Sequence, residues 1–164
     1  FNYAKLSYEL NYPSDAITAI QSIDPSSQYY LQGQELLGDV FATTEDYERT
    51  LDLLERLPNR SPRLEESYQR AALSRGLELL NNGDDAGAKA LFEKSLQRPV
   101  SPNFRAQALY WLADLANRQE DYPASINLTN QFLTLARGIQ GLPPQSSLYT
   151  GNYLQGYNLS LIPI

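Results

Sequence analysis

The sequence predicts an all-α protein: about four helical hairpins stacked side by side, followed by a terminal helix. Three observations carry that expectation. Apolar residues recur at helical spacing along nearly the whole chain. Short polar turns interrupt them at regular intervals, and a small residue recurs in the first helix of each unit.

The clearest unit spans residues 106–135. Leu109, Leu112, Ala113 and Ala116 fall at i, i+3, i+4 and i+7, one apolar stripe of a helix. Asn117 to Asp121 interrupt the stripe, and Tyr122, Ile126, Leu128, Phe132, Leu133 and Leu135 resume it. Pro123 suits the first turn of that second helix, where its missing N–H would have no partner. A single helix of about 14 residues cannot bury such a stripe alone, so the two are expected to pack as an antiparallel hairpin. Ala113 is the point where the backbones approach.

Aligning the chain on that small residue gives Ala4, Gly38, Gly76, Ala113 and Gly156, at separations of 34, 38, 37 and 43. In the first copy Tyr3, Ala4 and Leu6 mark a first helix, and Tyr12, Ala16, Ile17, Ile20 and Ile23 a second, closed by Asp24-Pro25. In the next, Leu37-Gly38 to Phe41 leads through Asp46-Tyr47 to Leu51, Leu54 and Leu57, closed by Pro58. Asn82-Gly83-Asp84 is the turn of the third copy, whose second helix carries Ala88, Leu91, Phe92 and Leu96 before Pro99 and Pro102. After the fourth copy, Gly138, Gly141 and Pro143-Pro144 mark a loop. Ser146 or Ser147 then caps a last helix bearing Leu148, Tyr149, Tyr153, Gly156, Tyr157 and Leu159. The repeats are expected over about 1–25, 28–60, 62–100 and 102–137, with a partial one at 146–164, in a single domain.

Composition narrows the chemistry. The 164 residues are 42% hydrophobic and 20% charged, long enough for one domain with a core. Net charge is −6 and the isoelectric point near 4.6, with only Lys5, Lys89 and Lys94 as lysines, which argues against nucleic acid as a partner. The absence of Cys and His removes thiol nucleophiles, imidazole bases and most transition-metal sites; no metal or cofactor is expected. No run approaches the roughly 18 apolar residues of a membrane helix, and no signal peptide is present. Starting at Phe1 and ending in the apolar stretch 159–164, the chain reads as a fragment of a longer protein.

The motif set resembles the tetratricopeptide repeat. It is carried by Leu37-Gly38, Phe41 and Asp46-Tyr47, by Gly76, Leu79, Gly83-Asp84, Ala88 and Phe92, and by Leu109, Leu112-Ala113 and Asp121-Tyr122. Thr50 and Ser125 stand where the family has Ala, and Asp85 where it has Tyr. The resemblance implies a right-handed α-α superhelix with a concave groove lined by the first helices. It places Glu35, Asp39 and Ala42, then Arg70, Leu73, Leu77 and Asn81, then Tyr110, Trp111, Asp114, Asn117 and Arg118, and finally Tyr153 and Tyr157 on that wall. Family members that grip C-terminal carboxylates carry Lys and Asn where Glu35 and Asp39 stand here, so a carboxylate ligand would be repelled. Leu36 to Val40 and Tyr110 to Asp114 are also similar to repeat arrays of bacterial cell-envelope proteins, which implies the periplasm or envelope rather than the cytoplasm.

The functional expectation is therefore a non-catalytic scaffold that binds a protein or peptide. The alternatives are a carbohydrate- or nutrient-binding helical domain of an envelope protein, or a helical scaffold joined to an enzyme outside these residues. Adjacent carboxylates such as Glu45-Asp46, Glu65-Glu66 and Asp84-Asp85 diverge by about 100° on a helix and suit helix N-termini better than acid–base chemistry. Asn127-Leu-Thr129 and Asn158-Leu-Ser160 match the glycosylation sequon but fall in expected helices. The twelve tyrosines read more readily as packing between hairpins, hydroxyls at the rim, than as a ligand surface.

Overall fold

A computed structural model describes residues 1–57, 59–98 and 100–162. Pro58 and Pro99, expected to close two units, and the end of the apolar tail lie outside the described residues. Among the described residues every regular element is helical: α1 (Asn2–Glu9), α2 (Pro13–Gln21), α3 (Tyr30–Thr43), α4 (Tyr47–Glu55), α5 (Pro62–Asn81), α6 (Asp85–Leu96), α7 (Pro102–Arg118), α8 (Tyr122–Ala136) and α9 (Leu148–Ser160). A single 3-10 turn, Pro144–Ser146, precedes α9. The all-α expectation holds. The chain divides within α5 into two compact units, Phe1–Ala71 and Ala72–Ile164.

The turns repeat one device. At three of them the second residue after the helix takes the left-handed conformation: Asn11 (φ 61°), Gly83 (φ 83°) and Glu120 (φ 61°). Each closes a Schellman motif, with the next residue's N–H bonding back five residues: Tyr12 to Ser7, Asp84 to Leu79, Asp121 to Ala116. Aspartates cap α4, α6 and α8, the last two directly after such a turn, whereas α2 starts at Tyr12 with no side-chain cap. The side chains of Asp46, Asp84 and Asp121 accept from the backbone N–H of Arg49, Gly87 and Ala124. The acidic pairs at 45–46 and 84–85 thus sit at helix starts, with Asp85 in the first turn of α6. Pro123 falls in the first turn of α8 as its chemistry requires.

In the unit Phe1–Ala71, Ala4, Ala16, Ile17, Ile20, Leu37, Val40, Phe41, Leu51 and Leu54 are buried. Arginines tie its surface. Arg63 pairs with Asp39, Arg60 Nη1 donates to the Leu54 carbonyl at 2.8 Å, and Arg70 Nη1 donates to the Phe41 carbonyl at 3.0 Å. Thr50, at the position where the repeat pattern has alanine, is buried and turns its hydroxyl to the Asp46 carbonyl (2.8 Å).

In the unit Ala72–Ile164, two apolar clusters form the core. Leu73, Leu80, Ala88, Phe92, Ala108, Leu112 and Leu115 join the end of α5 to α6 and α7. Ala106, Leu109, Tyr110, Ala113, Phe132, Leu133, Ala136 and Leu154 join α7, α8 and α9. Leu73, expected on the groove wall, is a core residue, 3% exposed.

The small positions explain how the helices come so close. A methyl on Gly76 would meet the buried Phe92 ring at 2.6 Å, so the ring lies on bare backbone. In the last helix the residue that performs this task is Gly151, not Gly156. A Cβ there would stand 2.7 Å from Phe132 Cδ1, whereas nothing lies within 4 Å of a Cβ on Gly156. Counting from Ala113, Gly151 also restores the 38-residue spacing seen between Gly38 and Gly76. Gly151→Ala is therefore expected to destabilise the protein by about 1–3 kcal/mol through overpacking. Gly156→Ala should stabilise it by about 0.5–1 kcal/mol through helix propensity. Urea denaturation of the two variants decides the register, and a reversal of the signs would return it to Gly156.

Candidate functional site: a tyrosine-lined groove between α7 and α9

The site begins with how α9 is held. Ser147 caps the helix in a capping box: Ser147 Oγ accepts from the Thr150 N–H at 3.4 Å, and Thr150 Oγ1 accepts from the Ser147 N–H at 2.9 Å. Gly151, Leu154 and Asn158, at i, i+3 and i+7, form the buried face. Asn158 is fully buried and organises a polar chain. Asn117 Nδ2 donates to Asn158 Oδ1 (2.7 Å), Asn158 Nδ2 donates to Ser125 Oγ (2.8 Å), and the Ser125 hydroxyl donates to the Ala113 carbonyl (2.8 Å). Ser125 in place of the pattern's alanine is thus a polar link among α7, α8 and α9. Burial also makes Asn158 inaccessible to a glycan in this fold.

With α9 so fixed, a groove of about 520 Å³ opens along α7, within the range of roughly 300–1,000 Å³ typical of ligand sites. From α7 it is lined by Tyr110, Asp114 and Asn117, at i, i+4 and i+7. From α9 come Tyr149, Tyr153 and Tyr157, again one turn apart, with Thr150 and Leu154 between them. The three α9 tyrosines are 80%, 72% and 48% exposed. Six of the twelve tyrosines are exposed, counting Tyr3, Tyr12 and Tyr29, so packing between hairpins does not account for them as a class.

Electrostatics single out Asp114. Burial raises its carboxyl above the ordinary carboxylate range; Arg118 opposes that rise and Asp85 of α6 adds to it. Arg118 Nη2 pairs with Asp114 Oδ2 at 2.7 Å. The Tyr110 phenol is also pushed up, chiefly by burial, with the neighbouring Thr150 hydroxyl acting the other way. Among the described residues no group of three or more His, Cys, Asp or Glu could hold a metal ion.

Of the residues expected on a concave wall, the structure brings Tyr110, Asp114, Asn117, Tyr153 and Tyr157 into this one groove, with Arg118 paired at Asp114. Tyr110 contributes from a largely buried position, 9% exposed, packing edge-on against Phe132 at 5.5 Å. Trp111 does not line the groove. Half-buried, it packs against both apolar clusters and meets Tyr110 edge to face (5.2 Å, 82°). Tyr110 and Trp111 are thus not parallel to one another. Glu35, Asp39 and Arg70 lie in the unit Phe1–Ala71. There Glu35 is exposed, Asp39 is paired with Arg63, and Arg70 lies over the Tyr47 ring at 5.6 Å. Sequence reasoning missed Tyr149, Thr150 and Leu154. The signal for Tyr149 was present in its i, i+4, i+8 spacing with Tyr153 and Tyr157.

No helix among the described residues is long and apolar enough to cross a membrane. Comparison with models of known protein families, with curated proteins and with solved structures returns no match.

Two outcomes follow from this geometry. Asn158→Ala should cost about 2–3 kcal/mol in chemical denaturation, because it strips two hydrogen bonds and leaves Ser125 and Asn117 without those partners. A loss below about 0.5 kcal/mol would show the polar chain to be dispensable. Asp114 contributes in the opposite sense. Its folded carboxyl pKa lies above the unfolded value, so the folded state binds the proton more readily, and ionisation costs stability as pH rises through that window. Asp114→Asn should melt above the parent at neutral pH, with the gap closing as pH falls towards about 4. Thermal melts across pH test this, and a constant gap would speak against a burial penalty.

Proposed function

We propose that this chain is a non-catalytic interaction module of the tetratricopeptide type, a right-handed solenoid of helical hairpins that holds a peptide segment of a partner protein between α7 and α9. The observation that carries the reading is the column of exposed tyrosines, Tyr149, Tyr153 and Tyr157, facing the part-buried Asp114 across a groove fixed by buried polar bonds. Tyrosine supplies wide, rigid contact area at low entropic cost, and Asn117 and Thr150 offer polar groups beside it. Charge narrows the occupant. The lining residues include one carboxylate, Asp114, which pairs with Arg118 from outside the lining, and no cationic side chain, on a chain of net charge −6, so the groove suits a segment of basic character. Support for the repeat assignment comes from the recurring Schellman turn, the aspartate caps and the glycine–phenylalanine contacts.

A random dodecapeptide library displayed on phage, selected against the protein, should yield binders that depend on this groove. Tyr153→Ala with Tyr157→Ala should weaken them at least about tenfold while circular dichroism stays unchanged, since both side chains are exposed. Selected peptides that bind the double variant equally well would place recognition elsewhere.

A further inference from the structure

Arg118 forms an i, i+4 ion pair with Asp114. It is half exposed, at 49% of its side-chain area, and it reaches back one turn to a carboxylate that is only 21% exposed. Arg118 engages the Asp114 oxygen it approaches at 2.7 Å, and an ionised carboxylate has acceptor sites for further donors at the groove wall. The groove that Asp114 lines also presents tyrosines from both helices. Planar guanidinium is the group that fits such surroundings. It is weakly hydrated, stacks on aromatic faces, and offers a fork of donors matched to a carboxylate. The same chemistry already operates within the chain, where Arg60 and Arg70 lie 5.0 and 5.6 Å over the rings of Tyr68 and Tyr47.

We propose that the groove recognises its peptide through an arginine side chain, whose guanidinium lies against the α9 tyrosines and takes over Asp114 Oδ2 from Arg118. Arg118 is then a built-in competitor that covers the carboxylate until the partner's arginine replaces it. This rests on the groove being the peptide site and deepens that reading by naming the anchor. Asp85, from α6, adds negative potential near Asp114 and favours the incoming cation. The groove's 520 Å³ accommodates an arginine side chain together with flanking backbone.

The test uses the 164-residue chain, uniformly labelled with nitrogen-15, titrated with acetyl-Gly-Ser-Arg-Ser-Gly-amide and with its citrulline and lysine counterparts. Citrulline keeps the shape of arginine and removes the charge. Amide shifts should concentrate on residues 110–118 and 148–158, with citrulline binding about tenfold or more weakly and lysine intermediate. Asp114→Asn should abolish the arginine preference, and Arg118→Gln should strengthen arginine binding severalfold. Citrulline or lysine binding as tightly as arginine, an unchanged preference in Asp114→Asn, or weaker binding in Arg118→Gln each overturns the proposal. The phage selection separates this failure from that of the groove itself. Groove-dependent peptides lacking arginine overturn the anchor alone, and an absence of groove-dependent peptides overturns both.

Discussion

Bare backbone under an aromatic ring is the contact on which the Ala72–Ile164 unit depends. Phe92 lies on Gly76 and Phe132 on Gly151, with both rings fully buried. None of these helices can bury an apolar stripe alone, and association gains most when the axes come close. Omitting the Cβ at one position per pair permits that approach, at the cost of about 1 kcal/mol in helix propensity. Ala113 is the variant in which the small residue keeps its methyl and the neighbouring serine bonds to its carbonyl. The spacing of these positions follows from hairpin length: one helix up, a Schellman turn, one helix down.

Apolar contact alone does not fix the angle at which α9 sits, and the buried polar chain supplies that. Asn158 can satisfy its oxygen and its amide only when Asn117 and Ser125 are both in place, so a rotation of α9 would strand polar atoms in the core. The consequence reaches the surface. Turning Asn158 inward places Tyr149, Tyr153 and Tyr157 on the edge facing α7, and so the same residue that holds the helix also aims the groove.

The helices, the Asn82-Gly83-Asp84 turn and the serine cap of α9 were legible in the sequence because each rests on local chemistry, whereas the caps at Asp46 and Asp121 and the left-handed Glu120 were not. Nor was face assignment in α9. Its glycines and tyrosines give little amphipathic contrast, so periodicity did not tell Gly151 from Gly156; only the partner ring, Phe132, distinguishes them. Tyr110 and Trp111 show the same limit. Neighbours in sequence, they diverge by about 100° around the helix, and which of them meets the groove depends on the helices packed beside them. Asp114, Asn117, Tyr153 and Tyr157 were placed together by the resemblance to a repeat pattern, and they line one groove because i, i+3 or i+4 neighbours on a helix share a face. The buried role of Ser125 was visible only as a departure from pattern.

The three tyrosines of α9 recur every four residues on a helix that rises about 1.5 Å per residue, so their origins advance about 6 Å at each step. An extended chain advances about 3.3 Å per residue and turns every second side chain to the same side. The two rulers nearly coincide. A strand-like segment laid along α9 would therefore set alternate side chains against successive rings, and the helix would read its ligand in a two-residue code whose intervening positions are left to solvent.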